Sequence, residues 1–164
     1  PLDANRRPMP VAALEALVSL LARDARLLGL DVGKRTVGLA LSDVRRTVAS
    51  PMDTIWRTRL AVDLARIKAL AAEHGVGGFV VGLPVGLDGR ESPRCQSVRQ
   101  FAADLLKECD LPLAFFDERF STAAVERLLI DEADMSRARR AQVVDKIAAA
   151  YILQGALELT ARKR

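Results

Sequence analysis

Hydrophobic and polar positions along this chain switch repeatedly between a strand-like and a helix-like period. From Arg26 to Ser42 two short apolar runs, Arg26 to Asp31 and Thr36 to Ser42, flank a tight turn at Gly33-Lys34-Arg35, which predicts an antiparallel hairpin. Ahead of it, Val11 to Arg23 places Leu14, Leu17, Val18 and Leu21 at helical spacing. Behind it, Val48 to Trp56 reads as a third strand, and Pro51, which has no N–H to give a ladder, assigns that strand to a sheet edge. Helical spacing returns over Arg59 to His74, with Leu60, Leu64, Ile67 and Ala71 on one face, Thr58 as the expected N-cap and Gly75 as the stop.

Gly78 to Leu83 is an unbroken apolar run following a helix, the pattern of a parallel strand covered on both faces. The loop after it turns at Asp88-Gly89, and Ser92-Pro93 opens a helix carrying Val98, Phe101, Ala102, Leu105 and Leu106. Pro112 to Phe116 is the fifth predicted strand. Ser121 or Thr122 then caps a helix bearing Val125, Leu128 and Leu129, and Ser136 caps a last helix from about Arg137 to about Thr160. A hairpin meander followed by alternating helices and strands predicts an α/β domain: a mixed five-stranded sheet with helices on both faces.

Residues 1–10 are rich in proline and polar groups and read as a flexible tail, leaving residues 11–164 as one domain without repeat or linker. The 164 residues are half hydrophobic, enough for an independent core. Arg6-Arg7 before the apolar stretch Val11 to Ala22 resembles a signal peptide superficially, but Glu15 interrupts the run and it is too short to span a bilayer, so no membrane association is expected. Cys95 and Cys109 fall on one predicted helix, roughly 21 Å apart at 1.5 Å per residue, which rules out a disulfide between them. With a single His in the chain they leave no zinc-ligand set, and a reducing cytoplasmic setting is expected. The net charge of +4 is compatible with a polyanionic partner without requiring one.

Three carboxylates stand out against this background. Asp31 ends an apolar strand, where a charge is costly to desolvate unless a cation or several donors meet it; an Asp ahead of Gly33 also suits a simple turn. Glu118 leaves the fifth strand beside Asp117, and strand alternation allows only one of the two to face a site. Asp145 shares a face of the last helix with Ala148, Ala149, Ile152, Ala156 and Leu159, a small-residue surface suited to packing on a sheet. It lies more than two turns from Ser136, too far in for a helix-dipole role. In such a fold these positions meet at the carboxyl edge of the sheet.

Acids without thiols or several imidazoles suit a hard cation, Mg²⁺ or Mn²⁺, and with basic neighbours they suit phosphodiester hydrolysis. The basic neighbours are Lys34 and Arg35 after Asp31, Arg119 after Glu118, and Arg137, Arg139 and Arg140, which open a helix where cations oppose the macrodipole and phosphate contact is the better explanation. Ser121 and Thr122 suit either phosphate contact or helix capping. Arg6, Arg7 and Arg162-Lys163-Arg164 read as solvated tails or weak, salt-sensitive contacts. Trp56 and Tyr151 read as packing residues.

Four motifs in this order resemble the YqgF family, also called RuvX-like: Gly29-Leu-Asp31-Val-Gly33 through Ser42-Asp43; Gly82-Leu83-Pro84 with Asp88-Gly89; Asp117-Glu118-Arg119-Phe-Ser121-Thr122; and Asp145-x-x-Ala148-Ala149-x-x-Ile152-Leu153. The resemblance runs from Arg26 to about Leu159. It implies an RNase H-like fold, Asp31, Glu118 and Asp145 as catalytic metal ligands, and Glu118 rather than Asp117 in that role. It also implies a nucleic-acid substrate, either precursor small-subunit rRNA, with ribosomal precursor particles as partners, or branched DNA such as a Holliday junction. Gly86 departs from the family, whose members often carry a polar side chain there. Two other readings compete. The D-x-G hairpin also resembles the first phosphate loop of actin-like ATPases and sugar kinases, although no second such hairpin is present, and a binding module with a vestigial site would share the same motifs.

Overall fold

The computed structural model describes residues 12–120 and 137–161, with side chains from residue 144 onward in the second stretch. In chain order the elements are α1 (Leu14–Ser19), β1 (Arg26–Val32), β2 (Thr36–Ser42), β3 (Ala49–Trp56), α2 (Leu60–Glu73), β4 (Val76–Leu83), α3 (Pro93–Glu108), β5 (Leu113–Asp117), a 3-10 turn (Glu118–Phe120) and α4 (Arg137–Ala161). The expected contacts of Ser121, Thr122 and the side chains of Arg137, Arg139 and Arg140 lie outside the described residues, as do the helix of Val125 to Leu129, the Ser136 cap and both tails.

The strands form one five-stranded sheet in the order β3-β2-β1-β4-β5. The β1–β2 and β2–β3 pairs are antiparallel, whereas β4 runs parallel to both β1 and β5. This is the mixed α/β sheet that the hydrophobic pattern predicts. β3 is an edge, as Pro51 requires, and its register against β2 shifts between Leu39 and Ala40, next to the Ala40–Pro51 pair.

Period-two alternation sends successive strand residues to two different cores. Leu28, Leu30, Val32, Val37, Leu39, Phe79 and Val81 pack with α2 and α3, through Leu64, Ile67, Val98, Phe101 and Leu105. Leu27, Ala40, Val80, Ala114 and Phe116 pack on the other face against Ala148, Ala149, Ile152, Leu153 and Ala156 of α4, with α1 at the margin. Because the α4 stripe is mostly alanine, its backbone comes close to the sheet.

Several local expectations are corrected. α1 is shorter than its apolar pattern, and Thr58 is not the cap of α2: Arg59 holds that position. Thr58 instead donates its N–H and hydroxyl to the buried carboxylate of Asp63, each at 3.3 Å, so the first turn of α2 reaches back and fixes the incoming chain. Ser92 is the N-cap of α3 with Pro93 after it, but its hydroxyl makes no capping bond. Cys109 is the C-cap of α3 rather than part of it; both thiols are buried and free, and burial pushes that of Cys109 up. Trp56 is 46% exposed and so is no core residue, whereas half-buried Tyr151 does pack against the α4 core. Among the described residues, no helix is long and apolar enough to cross a membrane.

Candidate active site

Asp31 is the next-to-last residue of β1 and is 4% exposed. Its neighbours Leu30 and Val32 enter the α2–α3 core, so alternation turns Asp31 to the α4 face. Across the hairpin it is paired with Gly38 of β2. That glycine is where α4 touches the sheet: a Cβ on Gly38 would run into the backbone carbonyl of Asp145 and lie 2.9 Å from the Lys146 nitrogen. A strand glycine that admits another backbone is thus what lets the helix bring Asp145 alongside Asp31. The Asp145 side chain is half-buried, and its Oδ2 accepts a hydrogen bond from the Thr36 hydroxyl, two residues before Gly38 on the same face of β2.

Glu118 arrives from the other side. Leu30 is paired with Val81, so the next step along the parallel strands sets Gly82 beside Asp31. A Cβ on Gly82 would lie 2.9 Å from Oε1 of Glu118 and 2.5 Å from Cδ1 of Ile152, so the Glu118 side chain lies over Gly82 on the α4 face. Asp117, the rival acid, takes a different partner. Arg119 donates to it from Nε at 3.1 and 3.0 Å and from Nη2 at 2.6 Å, and its backbone N–H adds a bond at 2.9 Å. These bonds hold the Asp117 carboxyl below the usual carboxylate range. Glu118 therefore faces α4, whereas Asp117 is tied to Arg119.

Asp31, Glu118 and Asp145 thus converge on one end of the sheet, carried by β1, the exit of β5 and α4. They do not form a closed cage: among the described residues no three His, Cys, Asp or Glu side chains are gathered tightly enough to surround an ion. Lys34 and Arg35 are exposed on the β1–β2 turn, which is closed by the Gly33 N–H bonding the Thr36 carbonyl at 2.8 Å. Arg119 is exposed but committed to Asp117, so it is less available to a phosphate than Lys34 or Arg35. Pro84 follows the last residue of β4, and beyond it the loop turns at Gly89, where φ is 81°. The sequence pattern assigns no role to Thr36 and Gly38, and it marks Gly82 only within the Gly82-Leu83-Pro84 motif, not as the seat of Glu118. A glycine inside an otherwise apolar strand is the signal that could have marked Gly38 and Gly82.

This sheet order, with a C-terminal helix laid across the hairpin and acids at one sheet end, defines an α/β protein of the RNase H-like class. Thermus thermophilus RuvC, solved with a Holliday junction substrate, shares the fold: the TM-score is 0.54 over 85% of this chain and 96% of that one, at 15% identity. A second structure of Thermus thermophilus RuvC gives 0.52. Residues 25–159 match the family described as "RuvX: Holliday junction resolvase", and the chain belongs to that family. A relative from Paramagnetospirillum magneticum named "Putative pre-16S rRNA nuclease" is 59% identical over 150 residues, covering 92% of this chain and 96% of its own length. One of the same name from Rhodospirillum rubrum is 53% identical over 156 residues, covering 95% and 97%. The chain is a nuclease, and its substrate class is nucleic acid.

Proposed function

We propose that this chain is a divalent-cation-dependent endonuclease that processes the 5′ end of precursor 16S rRNA, with Asp31, Glu118 and Asp145 as its catalytic carboxylates. The observation that carries this reading is the pair of close approaches at Gly38 and Gly82, which set Asp145 and Glu118 on either side of Asp31. The RNA substrate rests on the names of the relatives, and maturing ribosomal particles in the cytoplasm are where it would be met.

The donor set fits Mg²⁺ or Mn²⁺, since all three side chains offer hard oxygens and no thiol or imidazole competes. When bound, such an ion activates water and offsets charge on the leaving oxygen. The chain's own residues do the rest. Asp31 is held buried at the strand end, so its position is set by the sheet. Thr36 orients the Asp145 carboxylate by donating to Oδ2. Glu118, on a longer side chain beyond the strand, is the member able to reorient toward the strand being cut. Lys34 and Arg35 on the adjoining turn supply positive charge for the phosphates, and Ser121, Thr122, Arg137, Arg139 and Arg140 are proposed to extend that contact.

The test is cleavage of precursor 16S rRNA beside four-way junction DNA, with Mg²⁺, with Mn²⁺ and with chelator. RNA cut at a defined 5′ position, lost on chelation and in Asp31→Asn, Glu118→Gln and Asp145→Asn, is the expected result. Junction DNA cut in preference to RNA would instead favour resolvase activity, the reading that the family description favours. Strand binding without cleavage under any condition would leave only a binding protein.

A further inference from the structure

A cleft opens at the same end of the sheet as the three carboxylates but on the opposite face, beside α3. It has a volume of about 450 Å³, and its wall includes Gly33, Lys34, Arg57, Thr58, Arg94 and Ser97. Among the described residues that line it, three are cationic and none is an acid. The one buried acid nearby on α2, Asp63, is spent on Thr58. Among the described residues Lys34, Arg57 and Arg94 form no salt bridge.

Arg57 is fixed before any ligand arrives. Its Nη1 donates to the Gly33 carbonyl at 2.7 Å, its guanidinium lies over the Phe101 ring at 5.2 Å, and its backbone N–H bonds the Arg35 carbonyl at 2.8 Å. A planar guanidinium held this way keeps most of its donors for an anion and loses little freedom on binding one. Arg94 and Ser97 stand on the opening turns of α3, whose N-terminal end adds partial positive charge. Lys34 and Arg94 are exposed, so they meet the ligand with little desolvation cost.

We infer that this cleft is a phosphate subsite for the nucleic-acid strand, lying beside the catalytic carboxylates and holding a backbone phosphate away from the one attacked. The inference rests on the nuclease reading, because it takes the ligand to be a polynucleotide. Its position favours a strand over a free anion. Gly33 is two residues from Asp31, a span of at most ~7 Å of extended chain, so a strand entering the carboxylate site passes this cleft at neighbouring-phosphate distance. Sequence-independent contacts of this kind set register and affinity without reading bases.

Binding is best measured in the Asp31→Asn background with chelator, by fluorescence anisotropy of labelled single-stranded and structured RNA and of junction DNA across a salt series. Arg94→Gln is expected to weaken binding about tenfold, as for loss of one charge-assisted hydrogen bond, and to flatten the log–log salt slope by about 0.7–0.9. Ser97→Ala should weaken it less. Lys107→Gln, which removes the same charge from the far end of α3, should change neither. Arg57→Lys, checked for folding by thermal melt, should weaken binding because the fork geometry is lost. Equal behaviour of Arg94→Gln and Lys107→Gln would overturn the subsite. So would tight binding of inorganic phosphate or a 5′-mononucleotide by the parent protein, lost in Arg94→Gln while strand affinity is unchanged; the cleft would then serve a free anion. Cleavage by the parent protein is scored separately. If it never cuts but Arg94→Gln still weakens binding, the nuclease reading falls and the subsite stands; if it cuts and Arg94→Gln binds normally, the reverse holds.

Discussion

The carbonyl of Asp145 rests on Gly38, in the space where any other residue would carry its Cβ. Because Gly38 is also the cross-strand partner of Asp31, one missing methyl group governs both how α4 docks and how far apart two acids stand. Gly38→Ala presses a methyl against backbone, which cannot rotate away. Overpacking of this kind costs about 1–3 kcal/mol, and rigid backbone contact places it at the upper end. Melting should fall by roughly 4–10 °C, and cleavage should fall further than the stability loss accounts for, because α4 and its carboxylate shift together. Unchanged activity with normal melting would show that the helix can slide without disturbing the site.

Thr36 acts on the reaction only through Asp145. Its hydroxyl donates to Oδ2, so Thr36→Val removes the donor at nearly constant shape, while Thr36→Ser restores it. Loss of such an orienting bond commonly costs 10- to 100-fold in metal affinity or activity. The Mg²⁺ concentration for half-maximal cleavage should therefore rise by about that factor in Thr36→Val and stay near the parent value in Thr36→Ser, with both proteins melting normally. A merely structural role would move melting and leave the Mg²⁺ midpoint alone.

Asp43 fixes the turn between β2 and β3. Its carboxylate accepts the Val48 N–H at 3.0 Å, and the Thr47 hydroxyl and N–H, each at 2.7 Å. Those bonds, that from Val48 foremost, lower its pKa to about 2. A depressed carboxylate stabilises the fold above its unfolded pKa and loses that contribution as pH falls through the folded one. The window is therefore about pH 4 down to about pH 2. The group is largely solvated, so screening keeps the effect small. Asp43→Ala should melt roughly 2–4 °C lower at pH 7, and the gap to the parent should close towards pH 2. A gap that persists at pH 2 would trace the bonds to something other than the ionised carboxylate.

The sheet was legible because its signals are local. Extended apolar stretches between turn and helix signals marked five strands, Pro51 marked the edge, and the Asp145–Ala148–Ala149–Ile152 face marked the helix that packs on the sheet. The site was legible only in part. Asp31 and Asp145 could be read as buried or strand-end acids from their own neighbours. Strand alternation alone left Glu118 and Asp117 open, and only the family resemblance favoured Glu118; the physical reason, that Arg119 captures Asp117 while Glu118 lies above Gly82, needs the folded chain. Thr36 was invisible because its partner is 109 residues away, and the basic cleft was invisible because Lys34, Arg57 and Arg94 come from two separate connections and the start of α3. Thr58 misled for a related reason: a residue of capping type precedes α2, but Asp63 reaches back to bond it.

Asp31 gives the sharpest thermodynamic signature of a metal-binding role. The residue is 4% exposed at the end of an apolar strand, where burial sets a desolvation cost against its charge. Asp31→Asn keeps the shape and most hydrogen-bonding capacity but removes that charge. Metal-free melting of each protein sets its own baseline. Adding Mg²⁺ or Mn²⁺ should raise the melting of the parent and not that of the variant: binding to the folded state alone stabilises by about 2.7 kcal/mol at one hundred times the dissociation constant, a gain the variant forgoes. Melting curves of both proteins across a metal titration test this without any nuclease assay. Diverging curves are expected. Parallel curves, with both proteins stabilised equally by the ion, would remove Asp31 from the metal site and leave its burial to be explained by the fold alone.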